Sequence, residues 1–182
     1  MTVREAGSED VPALVDLWET ADSERVASSV ARHAEQVDTR VVVAEVEGEV
    51  AGCAYLRVAY VSPLDAEPAL HVSHLQVADD HAAGEVGAGL LDAALGWAEE
   101  RGLSTVLAGS AASDRDTNRF LARLGLGQVG VLRATTAVAL RSRLLREETI
   151  APRGLSRGTR RTGQVVAMRR SQRRLRAGDV SL

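Results

Sequence analysis

The stretch that decides the architecture is Leu75-Gln76-Val77-Ala78-Asp79-Asp80-His81-Ala82-Ala83-Gly84-Glu85-Val86-Gly87-Ala88-Gly89-Leu90-Leu91, continued through Trp97 to Arg101-Gly102. Its first part completes a run from Leu70 to Ala78 that reads as a strand. Asp79 to Gly87 is polar and small, the composition of a loop. Val86, Leu90, Leu91, Ala94, Leu95, Trp97 and Ala98 then recur at intervals of three and four, which predicts a helix stopped by Gly102.

Upstream of this unit, Thr2 to Ala6 reads as a strand. Ser8 reads as the N-cap of a helix with Pro12 in its first turn and Val11, Leu14, Val15 and Trp18 on one side. A second helix is expected over Ser23 to Gln36, from the spacing of Val26, Val30 and Ala34. Arg40 to Val46 and Val50 to Val61 are β-branched runs joined by Glu47-Gly48-Glu49, which predicts a hairpin. Ser62 to Pro68, with two prolines, is a loop. Downstream, Leu103 to Ala108 reads as a buried strand, and Ser113 with Asp116 opens a helix carrying Phe120, Leu121 and Leu124. Gln128 to Leu140 reads as closing strand material. The order β-α-α-β-β-β-α-β-α-β predicts an α/β fold around one sheet.

Leu75-Gln76-Val77, the short loop, Gly87, Leu90-Leu91 and the helix ending Glu99-Glu100-Arg101-Gly102 together resemble the GNAT superfamily of acetyl-CoA-dependent N-acetyltransferases. Arg119-Phe120-Leu121-Ala122-Arg123-Leu124-Gly125-Leu126 resembles the late helix of that family. The resemblance spans residues 1–140, about three quarters of the chain. It implies a mixed central sheet flanked by helices, with acetyl-CoA held where the loop after the fourth strand enters a helix. Backbone N–H groups at such a helix start, aided by its dipole, cradle a pyrophosphate. The residues implied in cofactor binding are Leu75, Val77, Ala82, Ala83, Gly84, Glu85, Val86, Gly87 and Ala88. In the ungapped register the family's Gln/Arg-x-x-Gly-x-Gly/Ala pattern falls on Ala82, Glu85 and Gly87, and only Gly87 agrees. A shift onto Gly84 to Gly89 restores the glycines but moves the loop by two residues and puts glycine at the Gln/Arg position.

Replacing an arginine contact by Ala82 removes a charge-assisted hydrogen bond worth roughly 1.5–3 kcal/mol. Glu85 adds repulsion of about 1.4–2.8 kcal/mol per charge pair at about 6 Å and an effective dielectric of about 20–40. Together they weaken cofactor affinity roughly a hundredfold or more, while the backbone amides remain. The resemblance places a glutamate base six residues before Val77, where this chain has His71. Imidazole can take a proton near neutral pH, so His71 is the candidate catalytic residue; the bland reading is a half-buried strand histidine bonded locally. Leu121 occupies the place of the family's tyrosine acid and cannot donate a proton. Tyr55 and Tyr60 on the hairpin could stand in for it, or simply pack. His74 is expected on the face opposite His71 by strand alternation, and His81 lies in the loop within reach of a phosphate.

Composition separates body from tail. All 22 basic residues are arginine; lysine is absent, and asparagine and isoleucine occur once each, a bias that suggests a GC-rich genome. Residues 1–140 hold 10 Arg against 22 acids, net −12, whereas residues 141–182 hold 12 Arg against 3 acids, net +9. The tail contains a Gly- and Arg-rich stretch, Ala151 to Gly163, and a candidate helix over Gln164 to Arg176. Clustered arginine favours RNA or another polyanion, and the absence of aromatics argues against base-specific readout. The tail would equally serve a partner protein, its own acidic body or a sister subunit in a homodimer.

The longest charge-free stretch, Gly102 to Ser113, is too short to cross a membrane. Charges at Arg4, Glu5, Glu9 and Asp10 leave no apolar leader, so a cytoplasmic protein is expected. Cys53, the single cysteine, reads as core filling, and no clustered ligands suggest a metal. The expectation is one domain over 1–140, transferring an acetyl group from acetyl-CoA to a small-molecule or peptide amine, with a basic tail over 141–182. The alternative is a catalytically silent binding or scaffold module of the same fold.

Overall fold

The computed structural model describes residues 1–150, with side chains through Arg146. Residues 1–126 form one compact unit, and a second begins at Gly127. The first contains β1 (Thr2–Glu5), a single 3-10 turn (Ser8–Asp10), α1 (Val11–Leu17), α2 (Ser23–Ala34), β2 (Thr39–Val46), β3 (Glu49–Ala59), β4 (Ala69–Val77), α3 (Ala83–Glu100), β5 (Val106–Ala108) and α4 (Arg115–Arg123). The sheet runs β1-β2-β3-β4-β5, antiparallel except for the parallel β4–β5 pair. It is the expected mixed sheet flanked by helices.

The two faces of the sheet are covered by different helices. Val42, Leu56, Leu70 and Val72 point to one side, where Val86, Leu90, Ala94 and Trp97 of α3 close over them. Val41, Val43 and Cys53 point to the other, under Leu14 of α1 and Val26 and Val30 of α2. The β2–β3 turn has positive φ at Glu47 (54°) and Gly48 (90°), the backbone that matches the twist of a two-residue hairpin. The guanidinium groups of Arg40 and Arg101 each lie over the Trp97 ring, 4.8 and 4.9 Å from its centre. Arg101 also pairs with Asp38 at 2.8 Å and donates to the Val37 carbonyl, tying the end of α3 to the loop before β2.

Two expectations need correction. Ser8 does not cap a helix through its side chain; Asp10 closes this entry instead, its carboxylate accepting from the Gly7 N–H at 2.8 Å. The residue is buried, so a single carboxylate both satisfies the turn and meets Arg4. The strand expected over Gln128–Leu140 is absent. Val129, Val131 and Leu132 are exposed, without the covered face that makes β-branched alternation favourable. From Ala137 an Ala-, Leu- and Arg-rich sequence forms α5 (Ala137–Ile150), with Thr136 Oγ1 accepting from the Ala139 N–H at 3.1 Å. The helix expected over Gln164–Arg176 and the contacts assigned to the tail lie outside the described residues.

Arg4 grips Asp10 with two bonds, Nη1 to Oδ2 at 2.7 Å and Nη2 to Oδ1 at 2.8 Å, and reaches Glu45 with Nε at 3.2 Å. This fork holds the Asp10 carboxyl below its ordinary range. A depressed folded-state value contributes stability above the unfolded carboxyl's titration and loses it as pH falls. Asp10→Asn should therefore lower the unfolding free energy by about 2 kcal/mol at neutral pH. Chemical denaturation across pH should show that gap shrinking below about pH 4; a gap that persists unchanged into acid would disprove the assignment.

Candidate active site

The centre of the site is an extra residue in β4. Opposite β3, Gln76 pairs with Cys53 and Ser73 with Tyr55, so a three-residue step in β4 matches a two-residue step in β3. His74, inside that step, has φ of 51°, a left-handed conformation that histidine adopts more readily than most residues. A β-bulge reverses the alternation of everything beyond it. Leu75 and Val77 accordingly pack on the α3 side, and exposed Gln76 pairs with Cys53, whose side chain belongs to the opposite face. His74 itself turns toward α1, its ring 6.2 Å from Trp18 at an interplanar angle of 69°. The expectation that alternation would send His74 away from the face of His71 fails for this reason.

On its other edge, β4 pairs with β5 only at Leu70–Val106, His71–Leu107 and Val72–Ala108, and the Gly109 N–H donates to the Val72 carbonyl at 2.8 Å. Beyond Val72 that edge has no strand partner among the described residues, so the backbone of Ser73 to Val77 is open there. The open edge leads to the start of α3. Ala82 is the N-cap and has no side-chain cap; the Glu85 and Val86 N–H groups donate to its carbonyl at 2.9 and 3.1 Å. The N–H groups of Ala83 and Gly84 have no hydrogen-bond partner among the described residues. A Cβ on Gly84 would meet nothing within 4 Å.

The residues expected to hold a cofactor thus divide by position. Ala82, Ala83, Gly84, Glu85 and Ala88 are exposed, with only the first four at the entrance of the helix. Val86 and Gly87 are buried: Val86 lies in the core, and a Cβ on Gly87 would come within 3.2 Å of the Phe120 ring. Gly87 therefore also serves the close packing of α3 against α4. Leu75 and Val77 face the core and leave only their backbone to the open edge. No basic side chain stands in the first turn of α3, and Glu85 does. His81 is partly buried, 3.8 Å from Asp80.

A cleft of about 380 Å³ adjoins the bulge on the α1/α2 side, lined by Trp18, Thr20, Arg25, Val26, Ser29, His33, Val41, Tyr55 and His74. Arg25, Ser29 and His33 lie at four-residue intervals and form a polar stripe along α2. That spacing is legible in the sequence, yet nothing local says which wall the stripe faces. His33 packs against Tyr55 at 4.8 Å between ring centres, tilted by 51°, and bonds Thr39 Oγ1 at 3.0 Å; burial, aided by Arg32, pushes its pKa down. His71 does not line the cleft. Its Nε2 lies 3.1 Å from the Ala59 carbonyl, and a carbonyl only accepts, so Nε2 carries the proton and Nδ1 is left as acceptor. Tyr60 is exposed away from the cleft, and Leu121 is buried. Among the described residues no His, Cys, Asp and Glu group is arranged for a metal, and no helix is long and apolar enough to cross a membrane.

Residues 6–126 match the family model described as the acetyltransferase (GNAT) family. The chain belongs to the GNAT acetyltransferase family. Similar solved structures include a putative acetyltransferase from Agrobacterium tumefaciens str. C58, 17% identical with a TM-score of 0.64 over 75% of this chain and 99% of that one. Others are the aminoglycoside N-acetyltransferase AAC(6')-Iy in complex with CoA, at 13% and 0.65 over 74% and 93%, and a ribosomal-protein-alanine N-acetyltransferase from Brucella melitensis biovar Abortus 2308, at 16% and 0.60 over 75% and 99%. At these identities the likeness is one of fold. No curated protein matches the chain in sequence.

Cys53 lies at the floor of the α1/α2 face, fully buried, and burial pushes its thiol up to about 12 despite the favourable neighbouring Trp18 indole. The indole Nε1 is itself buried and has no hydrogen-bond partner among the described residues. A thiol so placed is almost wholly protonated at pH 8 and shielded from reagent. Ellman's reagent should find essentially no reactive thiol in the native protein and one per chain in denaturant. Rapid reaction of the native protein would show that this face opens.

Proposed function

We propose that the chain is an acyl-CoA-dependent N-acetyltransferase whose acceptor amine enters the cleft at His74. The observation that carries this reading is the continuity of three features: free amides at the start of α3, the open edge of β4, and a cleft beginning at the β4 bulge. The backbone parts fit the family's cofactor. Ala83 and Gly84 N–H groups would hold its pyrophosphate, and the Ser73–Val77 edge would hydrogen-bond the pantetheine arm. Glu85 fits it poorly, because its charge sits in the turn that would receive the phosphates.

Bound acetyl-CoA supplies an acetyl thioester open to attack by a neutral amine. The residues of this chain would bring that amine to the open edge, with Trp18, Val41 and Tyr55 lining the way as an apolar wall. His74 is exposed, so the proton it accepts from the amine would pass on to solvent; the new amide bond would replace the thioester C–S bond, and CoA would leave as the thiol once its sulfur takes a proton from solvent. It takes the role here in preference to His71, whose ring is bonded to Ala59 and lies outside the cleft lining. A second reading, a module of this fold without turnover, draws on Glu85 and on the missing basic residue beside it.

Calorimetric titration separates the two: acetyl-CoA should bind with a Kd below millimolar, and silence at millimolar cofactor favours the module without turnover. Glu85→Gly should tighten cofactor binding about tenfold or more by removing the repulsion; unchanged affinity would place the phosphates elsewhere. Among the histidines, His74→Ala should lower kcat by about a hundredfold with little change in acetyl-CoA affinity, whereas His71→Ala should change kcat by less than about tenfold. The reverse ranking would return the base to His71.

A further inference from the structure

We infer that the cleft selects an amine that also carries a carboxylate, with Arg25 as the residue that recognises it. This rests on the preceding reading that the cleft is the acceptor site. The body of the chain, residues 1–140, is strongly acidic at net −12, yet none of its 22 acids lines the cleft. The lining instead offers the guanidinium of Arg25, the hydroxyls of Thr20 and Ser29, two imidazoles and two large aromatic side chains.

The charge balance of that lining decides the class of guest. A polycationic amine needs carboxylates to replace the water it loses, and here it would meet Arg25 and no compensating charge. An anionic group, in contrast, finds a planar donor fork suited to two parallel hydrogen bonds. Among the described residues Arg25 makes no salt bridge, unlike Arg4, Arg40, Arg101 and Arg119. Its backbone N–H is bonded to the Asp22 carboxylate at 2.9 Å, which fixes the first turn of α2. The downward shift of His33 keeps that ring neutral near pH 7, so it adds no second positive charge. Trp18 and Tyr55 supply a flat apolar wall for the body of the guest.

The ligand class is therefore an α-amino acid or a similar amino carboxylate, its ammonium end toward His74 and its carboxylate toward Arg25. The test uses the full chain and a panel of α-amino acids, each paired with its α-amide, together with kanamycin as a polycationic amine. Binding is read without cofactor, from perturbation of the Trp18 indole signal in NMR titrations, and transfer is read separately with acetyl-CoA. At least one acid should bind about tenfold or more tightly than its amide, and kanamycin should not perturb the Trp18 signal. In Arg25→Gln, which keeps the backbone bond to Asp22, the ratio of acid to amide should fall close to one; Arg119→Gln, away from the cleft, should retain it. Equal binding of every acid and amide, binding of none, a ratio preserved in Arg25→Gln, or a preference for kanamycin would each overturn the inference. Selective binding with no transfer to any amine would sustain it and refute the acetyltransferase reading instead.

Discussion

One additional residue in β4 sets the geometry on both sides of the sheet. Pairing with β3 is fixed on either side of it, at Ser73–Tyr55 and at Gln76–Cys53, so the excess must be absorbed between them. His74 absorbs it in a left-handed conformation that costs about 1 kcal/mol or more for a residue with a Cβ. Without that step, Leu75 and Val77 would face α1 and α2, and Gln76 would be driven under α3. With it, two apolar side chains join the α3 core and a histidine is delivered to the cleft. The burial gained by Leu75 and Val77, on the order of 1 kcal/mol or more each, is enough to offset the strained backbone.

The same strand sets where backbone groups and where side chains are exposed around it. Its backbone edge opens beyond Val72 because β5 is only three residues long. The carbonyl and amide groups exposed there belong to no side chain, so they persist whatever residues occupy the loop. The side chains there offer less: Ala82 has no charge, Glu85 is acidic, and Gly87 is buried against Phe120, so packing against α4 helps to hold the shape of this turn.

Much of the fold is legible before any coordinates. The spacing from Val86 to Ala98 marks α3, Glu47-Gly48 marks the hairpin, and Phe120, Leu121 and Leu124 followed by Gly125 mark α4, because helix ends and tight turns are local in their chemistry; the cap of α4 is Asp114, whose carboxylate accepts from the Thr117 N–H, rather than the expected Ser113. Gln128–Leu140 is misleading for an instructive reason. Val129, Val131 and Leu132 alternate or cluster as strand residues do, but strand formation needs a neighbour, and Thr136 starts a helix that satisfies its own backbone. The site was less legible. His71 is picked out by its position along β4, but the bond of its Nε2 to the Ala59 carbonyl has no local signal; His74 looks turned away until the bulge is counted.

By itself the sequence determined the order of elements through β5 and α4, the resemblance to the GNAT family, and the absence of positive charge where the loop after β4 enters α3. These are properties of residue type and short-range spacing. Only the tertiary structure decided that His74 shares a cleft with Trp18, Arg25, His33 and Tyr55, and that none of the acidic body's carboxylates lines it. The physical reason is that a bulge arises from register between two strands, and a cleft from the packing of helices on a sheet. Both join residues far apart in the chain, and neither leaves a period in the sequence to read.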